Sequence, residues 1–461
     1  MKNDHLLTAL SILFLLVLFV GCAKGPLISE KSVAVPEMKA TEKPLPAPEA
    51  KPQDMKLPDV KTPGGKSQEI LPAEVKPERM KTPEVKPLVA VPLPVSVYGN
   101  TIGCMFPLTG RFADAGNKAL DAVLLSAELF NQRGPSPWKI VVADSRDTPE
   151  GIRQAVAYLA DEAKVMAIIA MTGTAEATDA AREAQKRQVP LILIASKESV
   201  TEVGEYVFQH FLTPTQQIEA LVKYAGNTLD VAIFSVLYPQ DDYGEEMLRL
   251  FRGEIQKRGG RVIQAIPYNK TQTDFTEQIK KLTGSKPGAS EKVYAATEEA
   301  KRRLSVSFEA LFIPDSYLRV KMIASQLAFY DVRGIKLLGT SLWHSVDLLK
   351  KSPEYLEGAV FTDSFFVNGF LPETNDFVDI YYSTYSREPG NIEALSYDTM
   401  KLVLRILEDP QIKTRAEFIR SLPAIQGFRG VTGSISFSGH RVAQKDAFIL
   451  RVQNGKIEQV R

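Results

Sequence analysis

The sequence predicts an α/β protein of two lobes, each a mostly parallel, doubly wound sheet, and three observations carry that expectation. From Tyr98 onward apolar runs alternate with amphipathic segments, and such alternation requires parallel strands joined by helical crossovers. The run Thr101 to Phe106 is stopped by Pro107, and the segment after it sets Leu120, Val123, Leu124 and Ala127 on one helical face, which makes a βα unit. The roughly 360 residues that follow Tyr98 exceed one sheet of common size, so they divide between two lobes.

The remaining elements repeat the first. Strands are expected near Lys139 to Val142, Val165 to Met171 and Leu191 to Ala195, with helices near Pro149 to Ala163 and Ala175 to Gln188 between them. Further strands fall near Val231 to Leu237, Arg261 to Tyr268, Ala310 to Ile313 and Lys336 to Leu338, again with helical segments between. The chain has 461 residues and is 44% hydrophobic, enough for a large core. Its 56 basic and 55 acidic residues nearly cancel, which gives no support to a nucleic-acid partner.

Residues 1–98 have a different texture. Lys2 followed by the run Leu6 to Val20 has the length of an export signal and is short for a membrane span, an uncleaved anchor helix being the alternative. From Ala23 to Val97 there is no aromatic residue, 14 of the 29 prolines fall here, and Lys and Glu alternate. Such a stretch cannot bury enough surface to fold. With its degenerate repeats at Glu74-Val75-Lys76-Pro77 and Glu84-Val85-Lys86-Pro87, it reads as a stalk at residues 23–98, roughly 230 Å long when stretched and about 50 Å on average when flexible. Reach, or mere spacing, is its role.

Two cysteines, Cys22 and Cys104, give no disulfide framework. His5, His210, His344 and His440 are scattered, so no metal site and no cofactor is expected. A Walker loop, a G-x-S-x-G elbow, an H-E-x-x-H helix and a G-x-G-x-x-G turn after the first strand are all missing from the sequence, and catalysis is not expected.

Two resemblances add to this reading. Leu18-Phe19-Val20-Gly21-Cys22 resembles the lipobox of bacterial lipoproteins, with Phe19 where Leu is usual. It implies that residues 1–22 are removed, that Cys22 is acylated, and that two or three acyl chains hold the protein on a membrane, where one would bind only marginally. Ala23, in place of Asp, implies an outer-membrane destination in the cell envelope. The stretch Ile102-Gly103-Cys104-Met105-Phe106-Pro107-Leu108-Thr109-Gly110, with Gly116, Asp144, Ala170 to Thr174, Ala195-Ser196, Tyr243-Gly244, Asp274-Phe275 and the ending Gly430 to Phe437, resembles type I periplasmic-binding proteins of the leucine/isoleucine/valine-binding group. That resemblance covers residues 99–461. It implies three hinge crossovers, near Thr213, Asp363 and Phe428, with a first lobe of 99–213 and 364–428 and a second of 214–363 and 429–461.

The same resemblance implies a ligand cleft. Thr172, Gly173 and Thr174 would stand where a strand ends and a helix begins, suited to an anionic ligand group, unless the threonines only cap the helix. Ala195 and Ser196 would form the second ligand loop of the first lobe, and Tyr243 would cover the ligand from the second, unless it is ordinary packing. Asp315, Ser316, Tyr317 and Thr340 would complete the facing wall. Amino-acid-binding relatives place an acid in the last of these loops, whereas Gly339-Thr340-Ser341-Leu342-Trp343 has none; Asp315 is the candidate substitute, and an unpaired ligand charge in a dry cleft would be costly.

The charged stretch Gly284 to Arg303, with Glu298, Glu299, Lys301 and Arg302 at helical spacing, is either a solvated excursion or a docking surface. Two functions follow. One is a solute receptor that presents a small-molecule ligand to a permease or a sensor. The other resembles the penicillin-binding-protein activator lipoproteins, which use this fold to contact a peptidoglycan synthase.

Overall fold

The computed structural model describes residues 97–129, 136–284, 306–351 and 353–460. Cys22, the signal and the stalk up to residue 96 lie outside the described residues, as do Glu298, Glu299, Lys301 and Arg302. The chain divides after Leu88, and Val89–Arg461 forms one compact unit.

The first lobe is built on five parallel strands, β1 (Tyr98–Phe106), β2 (Lys139–Asp144), β3 (Val165–Met171), β4 (Leu191–Ile194) and β5 (Val207–Gln209), in the order β2-β1-β3-β4-β5. Every residue of β3 and β4 is buried, as expected for parallel strands covered on both faces. One face is covered by α2 (Pro149–Ala157) and α3 (Ala177–Lys186), through Ile152, Val156, Ala177, Ala180 and Ala184. The other packs on α1 (Ala113–Ser126) and on helices from the C-terminal third of the chain, through Val123, Met400, Val403 and Phe418.

The first helix, Ala113–Ser126, begins before Leu120 and ends before Ala127, the first and last residues the sequence sets on its face. Its buried side is also broader, including Ala119, Ala122, Leu125 and Ser126 while Leu120 and Leu124 are only partly buried. This happens because α1 lies between the sheet and a second layer, with Ala122 and Leu125 against Phe365, Phe377 and Tyr381.

The second lobe has a seven-stranded sheet in the order β15-β14-β10-β9-β8-β6-β7. Its strands β6 (Ile233–Pro239), β7 (Arg261–Tyr268), β8 (Ala310–Phe312), β9 (Lys336–Gly339) and β10 (Val360–Asp363) are parallel. β14 (Phe448–Gln453) and β15 (Lys456–Gln459) close one edge antiparallel. α4 (Pro214–Asn227) and α5 (Asp242–Lys257) cover one face of this sheet through Leu221, Val222, Met247 and Phe251. α6 (Thr276–Thr283) and α7 (Tyr317–Phe329) cover the other through Ile279, Leu282, Ile323 and Leu327.

After β10 the chain returns to the first lobe as α8 (Pro372–Tyr385), α9 (Asn391–Leu407) and α10 (Arg415–Ser421), followed by a small antiparallel sheet of β11 (Phe428–Gly430), β12 (Gly433–Ser436) and β13 (Gln444–Lys445). The chain therefore crosses three times, at Gln209–Pro214, at Asp363–Phe365 and at Lys445–Phe448. The third crossing lies later than the expected Phe428. Ile435, Phe437 and Ala443 are buried in the first lobe's core, whereas Phe448, Leu450 and Val452 belong to that of the second.

Candidate functional site

The carboxyl ends of parallel strands are where open α/β sheets place ligands, and the residues singled out from the sequence lie at these ends. In the first lobe β3 ends at Met171 and α3 starts only at Ala177, so Thr172, Gly173 and Thr174 lie in the connecting turn. Neither threonine caps the helix: Glu176 occupies the cap position without a side-chain cap bond. Thr174 Oγ1 lies 3.0 Å from Ser196 Oγ. Thr172 Oγ1 is enclosed and has no hydrogen-bond partner. The loop carrying Ala195 and Ser196 is fixed from beneath by buried Gln209, whose amide donates to the carbonyls of Ala195 (2.7 Å) and Lys197 (3.0 Å).

Two neighbouring carboxylates escaped the sequence reading. Arg146 and Asp147 both take left-handed backbone with φ of 52°, and this turns Asp147 toward Gly173. A Cβ added at Gly173 would lie 2.5 Å from Glu176 Oε2 and 3.8 Å from Asp147 Oδ1, so both carboxylates converge on that glycine. Asp147 Oδ1 is enclosed and unpartnered. Burial, then the nearby Glu176 charge, push the Asp147 carboxyl above its usual range, against the pull of Arg111. The companion Asp144 is different. Partial burial opposes its ionisation, but hydrogen bonds from Thr109 Oγ1 (2.6 Å), Arg146 N (2.8 Å) and Leu108 N (2.9 Å) outweigh it and hold the carboxyl low.

In the second lobe Tyr243 sits in the first turn of α5, which Asp241 caps by accepting from Gly244 N at 2.9 Å. Its hydroxyl lies 3.3 Å from Oγ1 of Thr340, which is buried at the end of β9. Although 36% of the Tyr243 surface is accessible, the phenol is pushed up to about 12 by burial, with Thr340 pulling it down and Asp315 raising it. Asp315 accepts from Tyr268 Oη (2.5 Å) and Ser316 N (2.6 Å), so both of its oxygens are already engaged. Tyr317 opens α7 and packs against the second lobe's core. Among the described residues no hydrogen bond joins the Thr174–Ser196 pair to the Tyr243–Thr340 pair.

The crossovers between the walls are heavily cross-linked. Gln217, in the first turn of α4, donates to Leu212 O (3.1 Å) and accepts from Ser341 N (3.1 Å). Gln216 completes a capping box with Thr213 and donates to Ala443 O at 2.7 Å, tying the first crossing to the first-lobe segment that precedes the third. At the second crossing buried Asp363 accepts from Ser364 N, Asn391 Nδ2 and the His344 ring. Below the first and third lies an enclosed polar chain. Thr399 donates to Leu395 O (2.6 Å) and therefore accepts from His210 Nδ1 (2.8 Å); His210 Nε2 accepts from Lys445 Nζ (3.0 Å). Lys445 also donates to Thr432 Oγ1, which in turn donates to Asp398 Oδ2 (2.5 Å). A groove of about 440 Å³ beside these crossings is lined by Glu198, Thr213, Thr215, Gln216, Arg441 and Gln444. Several of its polar groups already pair with one another, Thr213 with Gln216 and Glu198 with Thr215 N.

A family description, Periplasmic binding protein, matches residues 100–456. The chain belongs to the periplasmic binding protein family. No curated protein matches it. Among solved structures, this periplasmic binding protein is similar to one from Rhodospirillum rubrum described as a branched-chain amino acid ABC transporter, with a TM-score of 0.67 and 20% identity over 79% of this chain and 100% of that one. It is similar to LivJ of Streptococcus pneumoniae, solved with isoleucine (TM-score 0.60, 21% identity, 79% of this chain and 99% of that one). It also resembles a solute-binding protein from R. palustris, solved with benzoate (TM-score 0.55, 15% identity, 78% and 95%). At these identities the likeness is one of fold, and it is the two-lobed α/β architecture expected from the sequence. Among the described residues no group of His, Cys, Asp and Glu is placed to hold a metal ion, and no helix is long and apolar enough to cross a membrane.

Proposed function

We propose that the protein is a lipid-anchored solute receptor, not an enzyme, whose lobes close on a small, anionic or amino-acid-like ligand and present it to a permease or a sensor in the cell envelope. The observation that carries this reading is the pair of hydroxyl clusters at the carboxyl ends of the two sheets, Thr174 with Ser196 on one wall and Tyr243 with Thr340 on the other. In this reading Thr172 to Thr174, Ala195 and Ser196 bind the ligand from the first lobe, while Tyr243 covers it and Thr340 and Asp315 support the facing wall. The lipobox, the stalk and the charged stretch that favour the activator alternative lie outside the described residues, and the loop Gly339–Trp343, which has no acid while both oxygens of Asp315 are engaged, favours it too.

Three experiments test the reading. Native mass spectrometry of the protein purified from its own host should show a retained small molecule. Replacing Thr174 by Val should weaken that binding tenfold to more than a hundredfold, as expected for losing a hydrogen bond to a charged group at about 1.5–3 kcal/mol, with the empty protein's Tm unchanged. A fall in Tm with affinity intact would make Thr174 structural and sink the assignment. The anchor rests on Gly21-Cys22 closing an apolar run; Cys22→Ala should abolish incorporation of radiolabelled palmitate, and persistent labelling would refute it.

A further inference from the structure

Both loops that carry the wall hydroxyls are tied across the hinge, and the ties differ in kind. In the second lobe the loop of Thr340 is held from two sides. Ser341 N donates to Gln217 Oε1 at 3.1 Å, and the His344 ring donates to Asp363, which also accepts from Asn391 at the start of α9 in the first lobe. Gln217 and Asp363 are buried at the crossings, so these bonds belong to the hinge itself. In the first lobe the loop of Ser196 is fixed at its base by Gln209, which donates to Ala195 O and Lys197 O. Among the described residues, one side-chain hydrogen bond takes this loop to the second lobe: the Glu198 carboxylate accepts from Thr215 N at 3.0 Å, in the first turn of α4. The free N–H groups and the dipole of that helix end favour a carboxylate there. Arg249 of α5 adds a second attraction, since its guanidinium is raised first by the bond to Glu246 and also, last among the causes, by the Glu198 charge. Glu198 is only partly buried and borders the groove of about 440 Å³ beside the crossings, so its bond can break without opening either core.

We propose that Glu198 is a latch: bonded to the start of α4, it holds the lobes in the arrangement described here, and they close when it lets go. The latch is fastened while the two walls are unjoined, since among the described residues no hydrogen bond links Thr174 and Ser196 to Tyr243 and Thr340. Its place two residues after Ser196 connects it to whatever binds that hydroxyl. Because Gln209 grips the carbonyls on either side of Ser196, the segment moves as one piece, and a ligand that shifts Ser196 shifts Glu198 with it. With Thr215 N released, α4 is free to turn about Thr213, where the helix begins. Glu198 is thus a positioning residue for lobe closure and need not touch the solute. This inference rests on the receptor reading above and adds how closure is controlled.

The test is single-molecule energy transfer in the full chain, exhaustively dialysed and without added ligand, between dyes on p-acetylphenylalanine introduced in place of Glu150 and Leu318. Both residues are exposed and stand in the first turns of α2 and α7, the helices that follow β2 and β8, so closure brings them together. The wild type should give one main population at the longer distance. Glu198→Ala should raise the short-distance population about threefold or more, the weight of one partly exposed hydrogen bond, with Tm unchanged. Glu198→Gln, which keeps an oxygen for Thr215 N, should lie between the two. The latch is overturned if Glu198→Ala leaves the distribution as it is in the wild type, moves it only to longer distances, or lowers Tm without altering it. A wild type that is already closed when empty overturns it as well. Each of these results leaves the receptor reading intact, because that reading stands or falls on the retained small molecule and on Thr174→Val.

Discussion

Lys445 is enclosed with Asp398 and His210 at the junction of two crossings, and each member of that chain is displaced from its usual titration. Burial pushes the Lys445 amine down to about 8, with Asp398 drawing it back up. Burial, then the Lys445 charge, hold His210 well below its ordinary 6.5. Burial raises Asp398 against the pull of Lys445 and of hydrogen bonds from Thr432 and Val431. The unfolded chain protonates His210 below pH 6.5, while the folded protein does not, so stability is lost as pH falls through that value, by at most about 1.4 kcal/mol per pH unit from this group. Asp398, with its raised carboxyl, acts in the opposite sense at more acid pH. Urea denaturation from pH 7.5 to 5.5 should therefore show a steeper loss for the wild type than for His210→Gln, whose amide can still bond Thr399. Parallel pH profiles would show that His210 is not the source.

At the level of elements, the strands were the most legible part of the sequence, because fully buried parallel strands are continuous apolar runs bounded by Pro and Gly. The βα turns left a second mark. Gly116, Gly151 and Gly244 stand near the start of α1, α2 and α5, and an added Cβ at each would lie 2.1, 2.1 and 2.0 Å from the carbonyl oxygens of Pro107, Ser145 and Pro239. Each helix thus returns so tightly over its strand that only glycine fits. What could not be read was partnership. The resemblance puts the residues after Phe428 in the second lobe, and only the packing of Ile435 and Phe437 beside Met400 and Phe418 assigns them to the first. The predicted helix Pro149 to Ala163 has the expected span but finishes as a π turn at Tyr158–Glu162, next to the Arg415 guanidinium, which donates to Ala160 O (2.8 Å) and Val165 O (2.9 Å). In the candidate site, hydroxyl-bearing loops could be found from strand ends, but Asp147 and Glu176 could not, since their convergence depends on a left-handed turn that no residue type announces. Tyr317, expected in the cleft wall because it follows a strand end, opens α7 and is partly buried against the second lobe's core.

At the scale of the whole molecule, the crossings determine how the lobes can move. Gln216 ties the start of α4 to Ala443 of the first lobe, and Gln217 ties the first crossing, through Leu212 O, to the loop of Thr340. The late third crossing means that the first lobe is assembled from two distant stretches of chain, with Ile435, Phe437 and Ala443 filling a core whose strands end at Gln209. A chain ending at Gly427 should expose that core. Limited proteolysis of such a fragment should cut within α9 and α10, while the corresponding regions of the full chain resist; equal resistance would mean that the first lobe is complete without β11–β13. The same arrangement sets an order of events at birth. A ribosome builds the five strands of the first lobe early and the residues that seal them almost last, so during synthesis that lobe remains an open, non-local assembly awaiting its closing segment. An architecture that postpones its own completion leaves the core of the first lobe unsealed until Ile435, Phe437 and Ala443 have been made.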